Sequence, residues 1–271
     1  MQTRVTTLLD DLARLARDVE LAAVAVSGGV DSVTLASVVY RALGEKFMAY
    51  HATSPAVPPE ATERVREHAE RYGWALEVVD AREFEDPEYL ANPHNRCYFC
   101  KKNLYQRIAE HTSMQVFSGA NQDDLGDYRP GLIAAAERQV RHPYIELGAT
   151  KEDVRAMARA LGLTDVQDLP AMPCLSSRVE SGIAINSDDL VFINHIERAV
   201  QAVMDVHTVR CRILKGGVKV QLDARALTLV ETVAHEALRR EIEATCQSSG
   251  RTFTGFEAYR QGSAFLVPEP A

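Results

Sequence analysis

Leu21-Ala22-Ala23-Val24-Ala25-Val26-Ser27-Gly28-Gly29-Val30-Asp31-Ser32 is the stretch on which the reading of this chain turns. Its first six residues form a short continuous apolar run, closed by Ser27-Gly28-Gly29, and predict a buried strand. Periodic apolar residues from Asp31 to Leu43, stopped by Gly44, predict a helix. Two glycines let the backbone turn tightly and aim successive N–H groups at an anion. The helix start adds free donors and a positive dipole end, and Ser27 and Ser32 add hydroxyls. Two glycines alone would mark only a sharp turn; the six-residue order between strand and helix points to phosphate. The stretch has neither the Gly-Lys-Ser/Thr of a Walker loop nor a Gly-x-Gly-x-x-Gly fingerprint.

The flanking pattern extends this unit. Residues 3–20 have helical spacing, Phe47 to Ala52 reads as a second strand, and Pro59 to Tyr72 as a helix ended by Gly73. A strand at Ala75 to Val79, a helix at Leu104 to His111, a strand at Gln115 to Gly119 and a helix at Lys151 to Leu161 with Thr150 as N-cap follow. Alternating strands and helices predict an α/β fold with a Rossmann-like parallel sheet covered on both faces. Asp168 to Gly182 reads as a loop. Beyond it come a helix (Asp188 to Val203), a hairpin (Thr208 to Leu214 and Val218 to Leu222 around Lys215-Gly216-Gly217), a long helix (Leu227 to Thr245) and a strand (Arg251 to Phe256). The chain is therefore divided, as an expectation, into residues 1–183 and a smaller α+β domain over 184–271.

The 271 residues carry 30 Lys+Arg against 38 Asp+Glu, a formal net charge of −8. Hydrophobic residues at 46% and charged residues at 25% are ordinary globular usage. Disorder, collagen and disulfide-scaffold classes are excluded. An acidic chain without a basic run is poorly suited to gripping a polyanion, because that affinity grows with the number of phosphates neutralised; no nucleic-acid partner is expected. No apolar run approaches the ~18 residues that span a bilayer. The start, Met1-Gln2-Thr3-Arg4-Val5, soon reaches Asp10 and Asp11 and resembles neither a signal nor a transit peptide. A cytoplasmic protein with no membrane partner is expected.

The five cysteines are Cys97, Cys100, Cys174, Cys211 and Cys246. The odd number and a reducing cytosol argue against structural disulfides. Cys97 and Cys100 form a Cys-x-x-Cys pair, suited to a metal, a cluster or a redox disulfide. Cys174, on a polar loop beside Arg178, suits a nucleophile of lowered pKa. The three together also suit three irons of a cubane cluster with one site open; the plain alternative is three unrelated thiols. Cys211 and Cys246 read as buried.

Asn121-Gln122-Asp123-Asp124 follows a strand end, where Asp123 or Asp124 suits magnesium or a ribose, or forms only a solvated acidic loop. Arg129 suits a phosphate, or pairs with Asp127. Arg210 and Arg212 alternate on a strand and leave from one face; paired guanidiniums suit the phosphate of a mononucleotide, the alternative being surface ion pairs. Arg178 suits a substrate phosphate or carboxylate, and Arg260 and Ser263 are weaker candidates for the same group. The histidines, His51 and His142 among them, show no metal spacing and read as structural, and Trp74 as core.

Five blocks occur in one order: the glycine loop, Asn92-Pro93-x-Asn95-Arg96-Cys97-Tyr98-Phe99-Cys100-Lys101, Gly119-Ala120-Asn121-Gln122-Asp123-Asp124-Leu125-Gly126-Asp127-Tyr128-Arg129-Pro130-Gly131, Pro173-Cys174-Leu175-Ser176-Ser177-Arg178 and Tyr259-Arg260-Gln261-Gly262-Ser263. The loop resembles the signature of the PP-loop (adenine nucleotide α-hydrolase-like) ATP pyrophosphatases, and the blocks together resemble the LarE family from about Leu21 to Ser263. That resemblance implies an enzyme that uses ATP and Mg²⁺, with Asp31 as the acidic partner of the metal. It further implies that a carboxylate of pyridinium-3,5-biscarboxylic acid mononucleotide is adenylylated and converted to a thiocarboxylate for nickel-pincer nucleotide synthesis. The sulfur comes either from a [4Fe-4S] cluster on Cys97, Cys100 and Cys174 or from Cys174 itself, sacrificed to dehydroalanine. The family forms homo-oligomers, and places arginines at Arg210 and Arg212. Gln221 departs from it, since an acid is expected there. The competing readings are a tRNA thiolase, which should carry a basic or zinc-ribbon RNA-binding module, an amide-forming synthetase of the GMP or NAD type, which needs none of the cysteines, and a non-enzymatic nucleotide sensor.

Overall fold

A computed structural model describes residues 2–265 except Asp127, Glu231, Val233 and Ala234. The elements in chain order are α1 (Gln2–Arg17), β1 (Ala22–Ala25), α2 (Val30–Leu43), β2 (Phe47–Thr53), α3 (Pro59–Tyr72), β3 (Leu76–Asp80), α4 (Pro87–Leu90), α5 (Arg96–His111), β4 (Gln115–Ser118), α6 (Pro130–Glu137), α7 (Pro143–Glu146) and α8 (Lys151–Ala160). They continue with α9 (Ser187–Val203), β5 (Val209–Leu214), β6 (Gly217–Leu222), α10 (Ala224–Val230), α11 (Glu236–Ser248) and β7 (Phe253–Ala258). Two units form: one from the residues up to Asp86 together with Asn95–Met172, the other from Pro87–His94 and the chain from Pro173 on.

The first unit is an α/β layer structure around a four-stranded, all-parallel sheet of order β3-β2-β1-β4. Its central strand reads Ala-Ala-Val-Ala because it is buried on both faces. On one side Val24 packs with Leu8 and Leu12 of α1, Val33 and Leu35 of α2, and Val154 and Met157 of α8. On the other, Ala23 packs with Leu104, Tyr105 and Ile108 of α5 and Ala135 of α6. The chain leaves β1 for β2 on one side and returns through β4 on the other. The strand order therefore reverses between β1 and β4, and the crevice beyond their carboxyl ends is where such sheets take ligands.

The second unit carries a three-stranded sheet, β5-β6-β7, in which β5 and β6 are an antiparallel hairpin and β7 joins β6 in parallel. The short segment Pro87–His94 belongs to this unit through Asn92. That residue is buried and left-handed (φ 52°), and its amide nitrogen donates to the carbonyls of Glu180 (2.9 Å) and Ile183 (2.8 Å).

The expected single helix over 227–245 is corrected to two, α10 and α11. Leu229 O accepts from the Thr232 hydroxyl (2.7 Å) and lies 3.0 Å from His235 Nδ1. These side chains compete with the helix ladder for the carbonyl that would carry the helix onward. Among the described residues no helix is long and apolar enough to cross a membrane.

Candidate functional site

The glycine loop leaves β1 as a preformed cradle. Gly28 has φ +81°, and a Cβ there would stand 2.7 Å from the carbonyl oxygen of Ala61 in α3, so only glycine fits. Ser32 Oγ accepts from Ser27 N (3.0 Å), donates to Gly29 O (3.2 Å) and lies 3.1 Å from Ser27 Oγ. That clasp closes the loop on itself. Gly29 caps α2 with no side-chain bond, so the first-turn donors of the helix stay without a capping side chain. His51 ties the end of β1 to α3: its Nδ1 donates to Val26 O (2.8 Å) and Thr62 Oγ1 lies 2.9 Å from Nε2. Burial lowers its pKa.

The segment after β4 closes the other side of the crevice. A Cβ on Gly119 would meet Asp31 C and Ser32 N at 3.0 Å, so glycine permits the close approach. Asn121 Nδ2 donates to Asp31 Oδ1 (3.3 Å), and the buried Tyr144 hydroxyl donates to Asp31 O (3.1 Å). Asp31 also forms an ion pair with Lys151 Nζ. Asp123 Oδ2 accepts from Lys151 N (3.0 Å), and Asp124 accepts from Asn121 N (3.0 Å) while pairing with Arg129 (2.9 Å). Asp127, the alternative partner of Arg129, lies outside the described residues. Ser27, Gly28, Gly29, Asp31, Ser32, Asp123, Asp124 and Arg129 thus all belong to the first unit and stand at the carboxyl edge of its sheet.

Lys151 was not among the site residues expected from sequence. The signal for it is the helix itself: a cation at the first position of α8 opposes the helix dipole and asks for an acidic partner.

Cys97 and Cys100 stand in the first two turns of α5, three residues apart on one side, and both are half-buried. Cys174 belongs to the second unit, half-buried, at the head of the short turn Leu175–Arg178. Cys211 and Cys246 are buried, as expected, and burial raises both thiol pKa values. Within each unit, among the described residues, no three His, Cys, Asp or Glu side chains gather as a metal-holding group.

The second unit collects the arginines. Arg178 is buried and bidentate on Glu197 (3.0 and 2.9 Å), and its Nη1 donates to Pro173 O (2.6 Å) and Cys174 O (3.1 Å). It therefore fixes the cysteine loop from within. Glu197 Oε1 also accepts from Cys211 N (2.9 Å). Arg212 donates to Gln221 Oε1 (2.9 Å) and Ser177 O (2.8 Å). Gln221 in turn donates to Glu257 (2.8 Å) and lies 3.0 Å from Ser263 Oγ. Arg210 stands over the Tyr259 ring, 5.8 Å from its centroid. Arg260 is exposed and offers its carbonyl oxygen to Arg212 (3.5 Å). Burial, with the charges of Arg178 and Arg210 behind it, pushes the Arg212 pKa down to about 10, and burial lowers that of Arg210 as well. A neutral glutamine at 221 orders Arg212 without cancelling its charge, so the cluster keeps an excess of positive charge.

No family model matches the chain. It is 41% identical over 193 residues to the uncharacterized protein slr1717 of Synechocystis sp., covering 70% of this chain and 72% of that one. It is 29% identical over 227 residues to the pyridinium-3,5-bisthiocarboxylic acid mononucleotide synthase of Lactiplantibacillus plantarum, covering 82% and 80%. Over 203 residues it is 26% identical to a subunit of the glutamine-hydrolyzing GMP synthase of Methanopyrus kandleri, covering 66% and 65%.

Proposed function

The chain belongs to the family of the Synechocystis protein slr1717, and from the phosphate loop it carries we propose that it is an ATP-dependent sulfurtransferase of the LarE type, built on a PP-loop (adenine nucleotide α-hydrolase-like) domain. The observation that carries this reading is the loop: a positive-φ Gly28, a Ser27–Ser32 clasp and an α2 start without a side-chain cap. The similarity to the Lactiplantibacillus synthase supports the substrate class, and that to the GMP synthase polypeptide supports the superfamily.

In the proposed reaction a carboxylate oxygen of pyridinium-3,5-biscarboxylic acid mononucleotide attacks the α-phosphorus of ATP, and pyrophosphate leaves. Backbone amides of Gly28, Gly29 and the first turn of α2, with the hydroxyls of Ser27 and Ser32, stabilise the charge that develops on the leaving group. Arg210 and Arg212 bind the substrate phosphate. Arg178 holds the loop of Cys174, and Arg260 and Ser263 border the arginines. A sulfur nucleophile then attacks the acyl adenylate and AMP leaves. If Cys174 Sγ is that nucleophile, a base takes the Cα proton of Cys174 as the Cβ–Sγ bond breaks, the Cα–H electron pair becoming the double bond of dehydroalanine and the Cβ–Sγ pair leaving on the sulfur of the substrate thiocarboxylate. The donor chemistry fits two further groups. Asp31 is an oxygen ligand already holding a cation, and would hold Mg²⁺ that neutralises the polyphosphate. Cys97 and Cys100, three residues apart on α5, are soft thiol donors of the kind that would hold a [4Fe-4S] cluster supplying an external sulfide, and Cys174 is the third donor that the resemblance to the LarE family implies.

The test is AMP and pyrophosphate formation from ATP by purified full-length protein with and without the dicarboxylate mononucleotide, followed by intact mass. Substrate-dependent AMP with a thiocarboxylate product supports the reading. Loss of one H₂S per chain assigns the sulfur to Cys174; iron with unchanged mass assigns it to a cluster. AMP formation with ammonia incorporated instead identifies an amide synthetase, and no substrate-dependent AMP overturns the proposal.

A further inference from the structure

We propose that Lys151 is a built-in counter-cation of the phosphate loop, which lets a divalent cation bind at Asp31 only together with an anionic polyphosphate; the inference rests on the ATP reading above. Lys151 is the first residue of α8, the end of a helix that disfavours positive charge. It is held there by two independent contacts. Its main-chain N–H donates to Asp123 Oδ2 (3.0 Å), and its ammonium forms an ion pair with Asp31 Oδ2. The Thr150–Asp153 capping box fixes the start of the helix, so the aim of the side chain is set by the fold. The other Asp31 oxygen accepts from Asn121.

Both oxygens of the loop's carboxylate therefore have protein partners. About a third of each side chain is exposed (32% for Lys151, 27% for Asp31), so solutes reach the pair. A lone divalent ion gains one carboxylate, but it must displace the ammonium and then sit beside it. A polyphosphate arriving with the metal gives the displaced ammonium new anionic partners. Metal and polyphosphate thereby strengthen each other's binding, and the coupling free energy is reciprocal.

The experiment titrates full-length protein with Mn²⁺, read by electron paramagnetic resonance, with and without α,β-methylene-ATP. Wild type is expected to bind Mn²⁺ weakly alone and more tightly with the analogue. In Lys151→Met, Mn²⁺ alone binds about tenfold or more tightly, the scale by which an adjacent charge shifts cation affinity at a carboxylate. The effect of the analogue shrinks by the same factor, and Lys151→Arg restores the wild-type pattern. Lys151→Gln takes the place of the methionine variant if that protein fails to fold. Unchanged or weaker Mn²⁺ binding in Lys151→Met overturns the proposal, as does a gain that survives the further change Asp31→Asn. A wild type that binds no ATP analogue overturns the ATP reading and the coupling, while the Mn²⁺ arm alone still decides whether Lys151 guards Asp31.

Discussion

Gly28 and Gly29 are adjacent, yet their backbones ask for different things. Gly28 is left-handed and abuts the Ala61 carbonyl, whereas Gly29 has φ −87° and nothing nearer to a built Cβ than Ser27 Oγ at 3.7 Å. Gly28→Ala is expected to lower stability by about 1–3 kcal/mol, the usual cost of a strained backbone, and to abolish substrate-dependent AMP formation. Gly29→Ala should leave the unfolding free energy within about 0.5 kcal/mol of wild type. Equal losses in chemical denaturation would refute the assignment of the tight contact to Gly28. The two glycines were legible as a pair in the sequence, but which one the turn requires was not, because that depends on where α3 passes. Lys151 escaped for a related reason: its partner, Asp31, lies far along the chain. Cys174 was legible, whereas the buried Arg178–Glu197 pair that fixes its loop became visible only once α9 was in place.

At the scale of elements, period and punctuation carried most of the reading. β1 was evident because a six-residue apolar run is too short for a helix, and α2 and α3 because Gly44 and Gly73, both at positive φ, stop them. The Thr150 cap announced α8. The break between α10 and α11 was hidden, since Thr232 and His235 are compatible with a helix until their side chains take the Leu229 carbonyl. One tie between elements has a pH signature. Asp153 of α8 accepts from Arg4 of α1 (2.8 Å to each carboxylate oxygen) and from Thr150 N (3.0 Å), and these bonds hold its pKa well below the carboxylate range. The unfolded chain therefore binds the proton first, at a pKa of about 3.9. The stabilisation is present above that pH and is withdrawn as the pH falls below it. Thermal melts from neutral to acidic pH should show Asp153→Asn losing less stability than wild type over the acid limb, with lower stability at neutrality. An unchanged acid slope would count against the tie.

Charge at the scale of the whole molecule separates the two nucleotide chemistries that a phosphate loop and thiols would serve. The chain carries a net −8, and its excess positive charge is local: Arg212 is buried, Arg210 is half-buried, and both are pressed into a cluster costly enough to lower their pKa values. A transfer RNA presents a long run of phosphates and is held by many exposed cations, so its binding weakens steeply with salt, with a slope near −0.7 per phosphate contact on a single strand. An acidic surface repels it. A mononucleotide presents one phosphate, and one desolvated pair of guanidiniums suffices for it. On the proposed reading, the charge that is costly to bury in this cluster is what attracts the single phosphate of the mononucleotide. In competition experiments the dicarboxylate mononucleotide is therefore expected to stimulate AMP formation with a salt slope of about −1 or shallower, the value for a single phosphate contact. Excess transfer RNA should neither stimulate nor inhibit at low salt, and Arg212→Met should raise the KM for the mononucleotide while leaving the affinity for ATP unchanged. Stimulation by transfer RNA would move the activity to RNA thiolation. An Arg212→Met variant with unaltered KM would remove the arginine cluster from the substrate site.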